Sequence, residues 1–182
     1  TCHVSYGACI DIQKNIPVGA GMGGGSSNAA TVLMGLNRLW KLRLSAKTLA
    51  TLGKKIGADV PFFLYNCRFA RVRGIGDRVE PQHALRKKVL WHVIVTPAFC
   101  VPTPKIYKRW DLLVGSRRTL TRSQGNATLI LSALRKNKPE SIQRCLYNSL
   151  ERVAVPLYPE IQIIKDRLLR MGITEVNMSV AD

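Results

Sequence analysis

Apolar and polar positions along this chain change period several times, and each change marks an element. Over residues 8–16, Ile10, Ile12 and Ile16 fall at even steps between polar neighbours, which predicts a strand. A glycine-dominated stretch interrupts it. Beyond that stretch Ala29, Val32, Leu33, Leu36, Leu39 and Trp40 recur at three- and four-residue steps, predicting a helix over residues 27–41 with Ser26, Ser27 or Asn28 as its cap. A second helix is expected from Ser45, with Leu49, Leu52 and Ile56 on one face and Gly57 in the left-handed position that closes it, just before Asp59. Val60-Pro61 implies extended backbone. Residues 62–65 and 67–72 then read as short strands, and Gly74-Ile75-Gly76-Asp77 as a turn.

The second half follows a basic linker at residues 85–88. Val89-Leu90-Trp91-His92-Val93-Ile94-Val95 is too short for most helices and rich in β-branched residues, so it reads as a buried strand that opens a second domain, with His92 a structural histidine. Residues 127–135 and 140–148 read as helices. Pro159, at a first helical position, opens another with Ile161, Ile164, Leu168 and Met171 on one face, closed by Gly172 and followed by a returning strand over 173–178. No internal repeat appears.

Composition narrows the class. The chain has 182 residues, 46% of them hydrophobic, which is ample for a buried core. No apolar run approaches the roughly 18 residues of a membrane helix, and the first ten residues lack the pattern of a secretory signal. Five cysteines without regular spacing point to neither disulfides nor zinc, and a reducing cytoplasm fits them. The net charge of +17 raises nucleic acid as a partner. Its basic residues are spread along the chain without interleaved aromatics, which favours a generally basic surface suited to polyanionic small molecules over an RNA site.

The glycine stretch carries the chemistry. Gly19, Gly21, Gly23, Gly24 and Gly25 lie within seven residues and run into Ser26-Ser27 at a helix start, where free N–H groups and the helix dipole attract an anion. A P-loop requires a lysine after its last glycine, and Gly24 is followed by Gly25 and Ser26. A dinucleotide fold requires an acid about 20 residues on, and none stands between Asp11 and Asp59. What remains is a loop that cradles a nucleoside triphosphate by its backbone, or a ligand-free turn.

Pro17-Val18-Gly19-Ala20-Gly21-Met22-Gly23-Gly24-Gly25-Ser26-Ser27-Asn28-Ala29-Ala30 resembles the second motif of the GHMP small-molecule kinases. Gly57-Ala58-Asp59-Val60-Pro61-Phe62-Phe63 is similar to the segment carrying that family's catalytic aspartate. Val101-Pro102-Thr103-Pro104-Lys105-Ile106-Tyr107 resembles the segment in which Pro-Thr-Pro precedes an aromatic that stacks on a cytosine. The resemblance implies an α+β, two-domain fold: a nucleotide-binding α/β domain over 1–88 and a smaller α+β substrate domain over 89–182, incomplete at both ends. It implies ATP as phosphoryl donor, Mg²⁺ with it, and a cytidine-diphosphate-linked sugar alcohol as acceptor, in a bacterial cytoplasm or a plastid. Asp59 is then the base; Pro17, Gly19, Gly21, Gly23, Gly24, Gly25, Ser26, Ser27 and Asn28 hold the nucleotide; Thr103, Pro104 and Tyr107 hold the substrate. The family's lysine-bearing segment has no match here, and Asn177-Met178-Ser179 resembles the start of a third, glycine-rich motif whose glycines do not follow. An internal fragment of such a kinase is the expectation.

Phosphoryl transfer to an alcohol needs a base for the hydroxyl proton. Among Asp11, Asp59, Asp77 and Glu80, only Asp59 sits at a junction after a helix, hemmed by small and apolar residues. A turn-forming or capping aspartate is the plainer alternative. Ser26 and Ser27 either bind phosphate or Mg²⁺ or cap the helix, and Tyr107 is either a stacking platform or a core aromatic. A different GHMP kinase, or an inactive fragment that binds nucleotide or RNA, are the alternative functions.

Overall fold

The computed structural model describes residues 7–76, 78–115 and 127–179. Contacts gather the chain into two units: the first runs to Val18 and resumes over Gly23–Lys88, and the second takes Gly19–Met22 with the residues from Val89 onward. Helices and one small sheet make the chain α+β.

In the first unit α1 (Gly24–Leu39), α2 (Ala46–Gly53) and α3 (Val60–Leu64) pack on one another around Ala30, Leu49, Ala50, Val60 and Leu64. Ser45 caps α2 as its sequence implies, its hydroxyl accepting from the Thr48 N–H at 3.2 Å, a contribution of about 1 kcal/mol. Asn37 ties the intervening link to α1 by accepting from the Leu44 N–H and donating to the Leu44 carbonyl. The expected end of α2 is corrected. The helix stops at Gly53 and Gly57 is not left-handed. Gly53 serves close packing instead, since a Cβ there would lie 2.7 Å from Leu64 and 2.8 Å from Val60.

The expected strand at 62–65 is also overturned, because Val60-Pro61 begins a helix rather than extended chain. Proline in a first turn gives up an N–H that has no intrahelical acceptor anyway. Val60, Pro61 and Leu64 all face inward, and burying two such aliphatic side chains, at about 1.5–3 kcal/mol each, outweighs the pre-proline preference. The next strand is shorter than expected. β1 (Ala70–Arg73) pairs antiparallel with β2 (Arg78–Pro81), Val72 opposite Val79, through a turn in which Gly74 and Gly76 are left-handed. Asp77 of that expected turn lies outside the described residues. A single 3₁₀ turn, His83–Leu85, buries Leu85 and ends the unit.

The second unit holds α4 (Thr103–Gly115), α5 (Ala127–Lys136), α6 (Pro139–Gln143), α7 (Glu151–Leu157) and α8 (Glu160–Arg170). Ile106 of α4, Leu150, Val153 and Ala154 at α7, and Ile161 of α8 form its core. Phe99 stacks on Tyr158, ring centroids 6.5 Å apart, and Lys105 Nζ lies 5.3 Å from the Tyr158 centroid. The helix expected over 140–148 ends at Gln143, and α7 begins where none was predicted. Pro159 is the residue before α8 rather than its first, and Gly172 takes the left-handed position that closes it, although Met171 is exposed.

Three further expected strands are absent. Residues 8–16, 89–95 and 173–178 have strand composition but no ladder partner among the described residues, and without partners such segments stay irregular. Ile10, Ile12 and Ile16 are exposed; so are Val89, Leu90, Trp91 (95%), Val93, Ile94 and Val95. His92 is therefore exposed and not a buried structural histidine.

Candidate functional site

The glycine loop turns by alternation. Gly19, Gly21 and Gly23 have φ of 72°, 67° and 62°, the left-handed region that glycine adopts freely. Gly23 is also the N-cap of α1, and it offers no side chain to the helix's first N–H groups. The expected capping role of Ser26, Ser27 or Asn28 is thus overturned. The helix starts at Gly24, three residues before the expected start at residue 27, and Ser26, Ser27 and Asn28 all lie inside its first turns. No acid stands in the first turn of this 16-residue helix. A positive helix end with uncapped donors and no competing carboxylate is suited to phosphate.

Neighbouring side chains support that end. Lys14 Nζ lies 3.2 Å from where a Cβ on Gly24 would stand, and Ile16 lies beside it. Lys14 was missed in the sequence because phosphate-loop patterns seek a lysine after the glycines, not five residues before the first of them. The Phe63 ring of α3 lies 3.1 Å from the Cβ position of Gly23, so the loop's exit rests on an aromatic that only glycine can meet this closely. Gly25 is open, with nothing within 4 Å of its Cβ position. Asn28 faces a different place, a groove lined by Cys9, Ile10 and Ile12 on one side and by Val32 and Leu36 of α1 on the other. Pro17 is exposed where the chain enters the loop.

Asp59 precedes α3 as its N-cap in helical conformation, yet its side chain makes no capping bond. The capping explanation of Asp59 thereby loses its interaction. Its residue is half-buried, and Oδ1 lies 3.2 Å from the Cβ position of Gly76 in the β1–β2 turn. Two residues before it, the Cβ position of Gly57 is 3.8 Å from Ser26 Oγ. The first unit therefore sets the start of α1 beside the turn that carries Asp59. Among the described residues no group of three His, Cys, Asp or Glu side chains is placed to hold a metal.

In the second unit Thr103, Pro104 and Tyr107 occupy the first turns of α4, Thr103 and Tyr107 four residues apart on one helical face. Thr103 is 7% exposed and its Oγ1 has no hydrogen-bond partner among the described residues. A buried hydroxyl of that kind points to a ligand or water. Tyr107 is half exposed, not a core aromatic. No helix among the described residues is long and apolar enough to cross a membrane.

Comparison with known proteins agrees with the resemblance read from the motifs. The family model for the GHMP kinases N terminal domain matches residues 2–67. A 4-diphosphocytidyl-2-C-methyl-D-erythritol kinase of Symbiobacterium thermophilum is 42% identical over 179 residues, covering 97% of this chain and 60% of the relative. Proteins of the same name from Pediococcus pentosaceus, 41% identical with 97% and 59% covered, and Lactiplantibacillus plantarum, 39% identical with 98% and 59% covered, are similar to it as well. The chain thus spans about 60% of the length of these curated relatives.

Proposed function

Since residues 2–67 match the GHMP kinase family, we propose that the chain works as the greater part of an ATP-dependent kinase that phosphorylates the 2-hydroxyl of 4-diphosphocytidyl-2-C-methyl-D-erythritol, a step in isoprenoid synthesis. The observation that carries this is the uncapped, acid-free start of α1 beside the turn bearing Asp59, in a chain 42% identical to a kinase of that name. The loop from Pro17 to Asn28 holds the triphosphate, with N–H groups of Gly24 and Gly25 as donors and the Lys14 ammonium adding positive charge. Residues 1–88 form the ATP-binding domain and 89–182 the substrate domain, in a cytoplasmic enzyme.

Asp59 accepts the proton as the substrate hydroxyl oxygen attacks the γ-phosphorus; the bond from γ-phosphorus to the bridging oxygen breaks and ADP leaves. Mg²⁺ would supply charge neutralisation for the phosphates, and the residues fit that role only in part. The hydroxyls of Ser26 and Ser27 would hold it, while no group of three His, Cys, Asp or Glu side chains among the described residues is placed to do so. Thr103 Oγ1 and the Tyr107 ring receive the cytidine end, the hydroxyl meeting a polar atom and the ring stacking on the base.

The test uses the whole enzyme that carries this chain, with transfer of labelled γ-phosphate as readout. Asp59→Asn is expected to lower turnover by about 10²–10⁴ while ATP still binds. Turnover within a few fold of the parent overturns the assignment of the base, and absence of transfer by the parent to this acceptor overturns the substrate.

A further inference from the structure

Two polar side chains outside the phosphate loop, Glu151 and Asn148, grip one backbone residue of the second unit, and a third, Lys165, braces the first of them. Glu151, the first residue of α7, accepts from the Met178 N–H through Oε1 and from Lys165 Nζ through Oε2. From the other side Asn148 Nδ2 donates to the Met178 carbonyl at 2.7 Å, and its Oδ1 is held by the Leu150 N–H at 3.0 Å. Both backbone polar groups of residue 178 are gripped. The next residue, Ser179, donates its hydroxyl to the carbonyl of Gly21, a left-handed residue of the glycine loop that belongs to the same unit.

The Glu151–Lys165 pair needs a reason to exist. Both side chains are only 18% exposed, and desolvating two charges makes a pair of this kind a poor source of stability by itself. Lys165 does, however, fix the carboxylate so that its other oxygen stays aimed at the Met178 amide. A carboxylate held in this way leaves residue 178 one position to occupy, and Ser179 follows from it.

We propose that Asn148, Glu151 and Lys165 are positioning residues for the glycine loop: by clamping Met178 they place Ser179 so that it pins the Gly21 peptide, keeping the loop in its phosphate-ready form before nucleotide arrives. The purpose rests on the nucleotide-loop reading given above; the mechanical link does not. Preorganising a loop removes part of the ordering cost from binding, so the clamp raises affinity without touching the ligand.

Hydrogen exchange of this chain, read on peptides covering residues 19–25 and residues 153–157 of α7, tests the link. Glu151→Ala, Asn148→Ala and Ser179→Ala are each expected to speed loop exchange by about tenfold, the scale of one lost hydrogen bond, with the α7 peptide unchanged. Glu151→Gln, whose amide oxygen still accepts from Met178, is expected to keep loop protection largely intact. Unchanged loop exchange in Ser179→Ala and Asn148→Ala overturns the proposal, as does a rise in both peptides together in every variant, which marks a merely structural role. Binding of a non-hydrolysable ATP analogue to the same variants separates the two readings. Several-fold weaker binding in Ser179→Ala supports both, whereas a parent chain that binds no nucleotide but shows the exchange pattern overturns the function and leaves the clamp standing.

Discussion

Gly23 and Gly25 stand two residues apart in one loop and are glycine for different reasons. Gly23 is left-handed and lies against the Phe63 ring, so Gly23→Ala adds backbone strain of about 1–2 kcal/mol and a steric clash. A fall in thermal midpoint of several degrees is the expected result, and an unchanged midpoint contradicts it. Gly25 is helical with open space beside it, so Gly25→Ala is expected to leave the midpoint unchanged or raise it while weakening ATP binding, measured by calorimetry. The sequence shows that the loop needs glycine but not which glycine faces protein and which faces open space, because that depends on Phe63, forty residues away. Lys14 was illegible for the same reason. Asp59 was legible as a junction residue; its neighbour Gly76 was not. Cysteine reactivity also belongs to single residues: burial pushes the Cys67 thiol up, whereas Cys9 and Cys100 are exposed. At pH 7.5 alkylation is expected to reach Cys9 and Cys100 before Cys67, with the lag shrinking as pH rises and the Cys67 thiolate fills. Mass mapping of modified peptides checks the order.

At the scale of elements, periodicity identified α1, α2, α5 and α8, each a helix with an apolar stripe and punctuated ends. It failed where punctuation and packing disagree. Pro61 looked like a break and is the first turn of α3; Pro102-Thr103-Pro104 concealed the start of α4, whose Ile106 is fully buried. The candidate substrate residues were therefore legible by type and not by geometry, since the helical face shared by Thr103 and Tyr107 appears only once α4 is recognised. The junction of α2 with α3 is the most exposed to a small change. Gly53→Ala places a methyl 2.7 Å from Leu64 and 2.8 Å from Val60, and overpacking of this degree costs about 1–3 kcal/mol. Urea denaturation should show a lower midpoint with an unaltered slope; a neutral result would mean that α3 shifts freely, contrary to its place in the core.

For the whole molecule, the α+β class was legible from motif and composition, whereas four of the predicted strands were not realised, residues 62–65 because they belong to α3. Strand propensity is a request for a partner, and residues 8–16, 89–95 and 173–178 find none among the described residues. The run Val89-Leu90-Trp91-His92-Val93-Ile94-Val95 has a colloidal consequence. It is a seven-residue, acid-free, proline-free, β-prone segment lying open to solvent, the composition of a cross-β zipper. Arg86, Lys87 and Lys88 stand directly before it, and a net charge of +17 keeps copies of the chain apart. Salt shortens the reach of that repulsion, from a Debye length of about 30 Å at 0.01 M to about 3 Å at 1 M. Light scattering of the isolated chain should accordingly rise with sodium chloride, and Ile94→Lys should suppress the rise. The positive charge proposed to draw a polyanionic substrate is thus also the charge expected to disperse the chain.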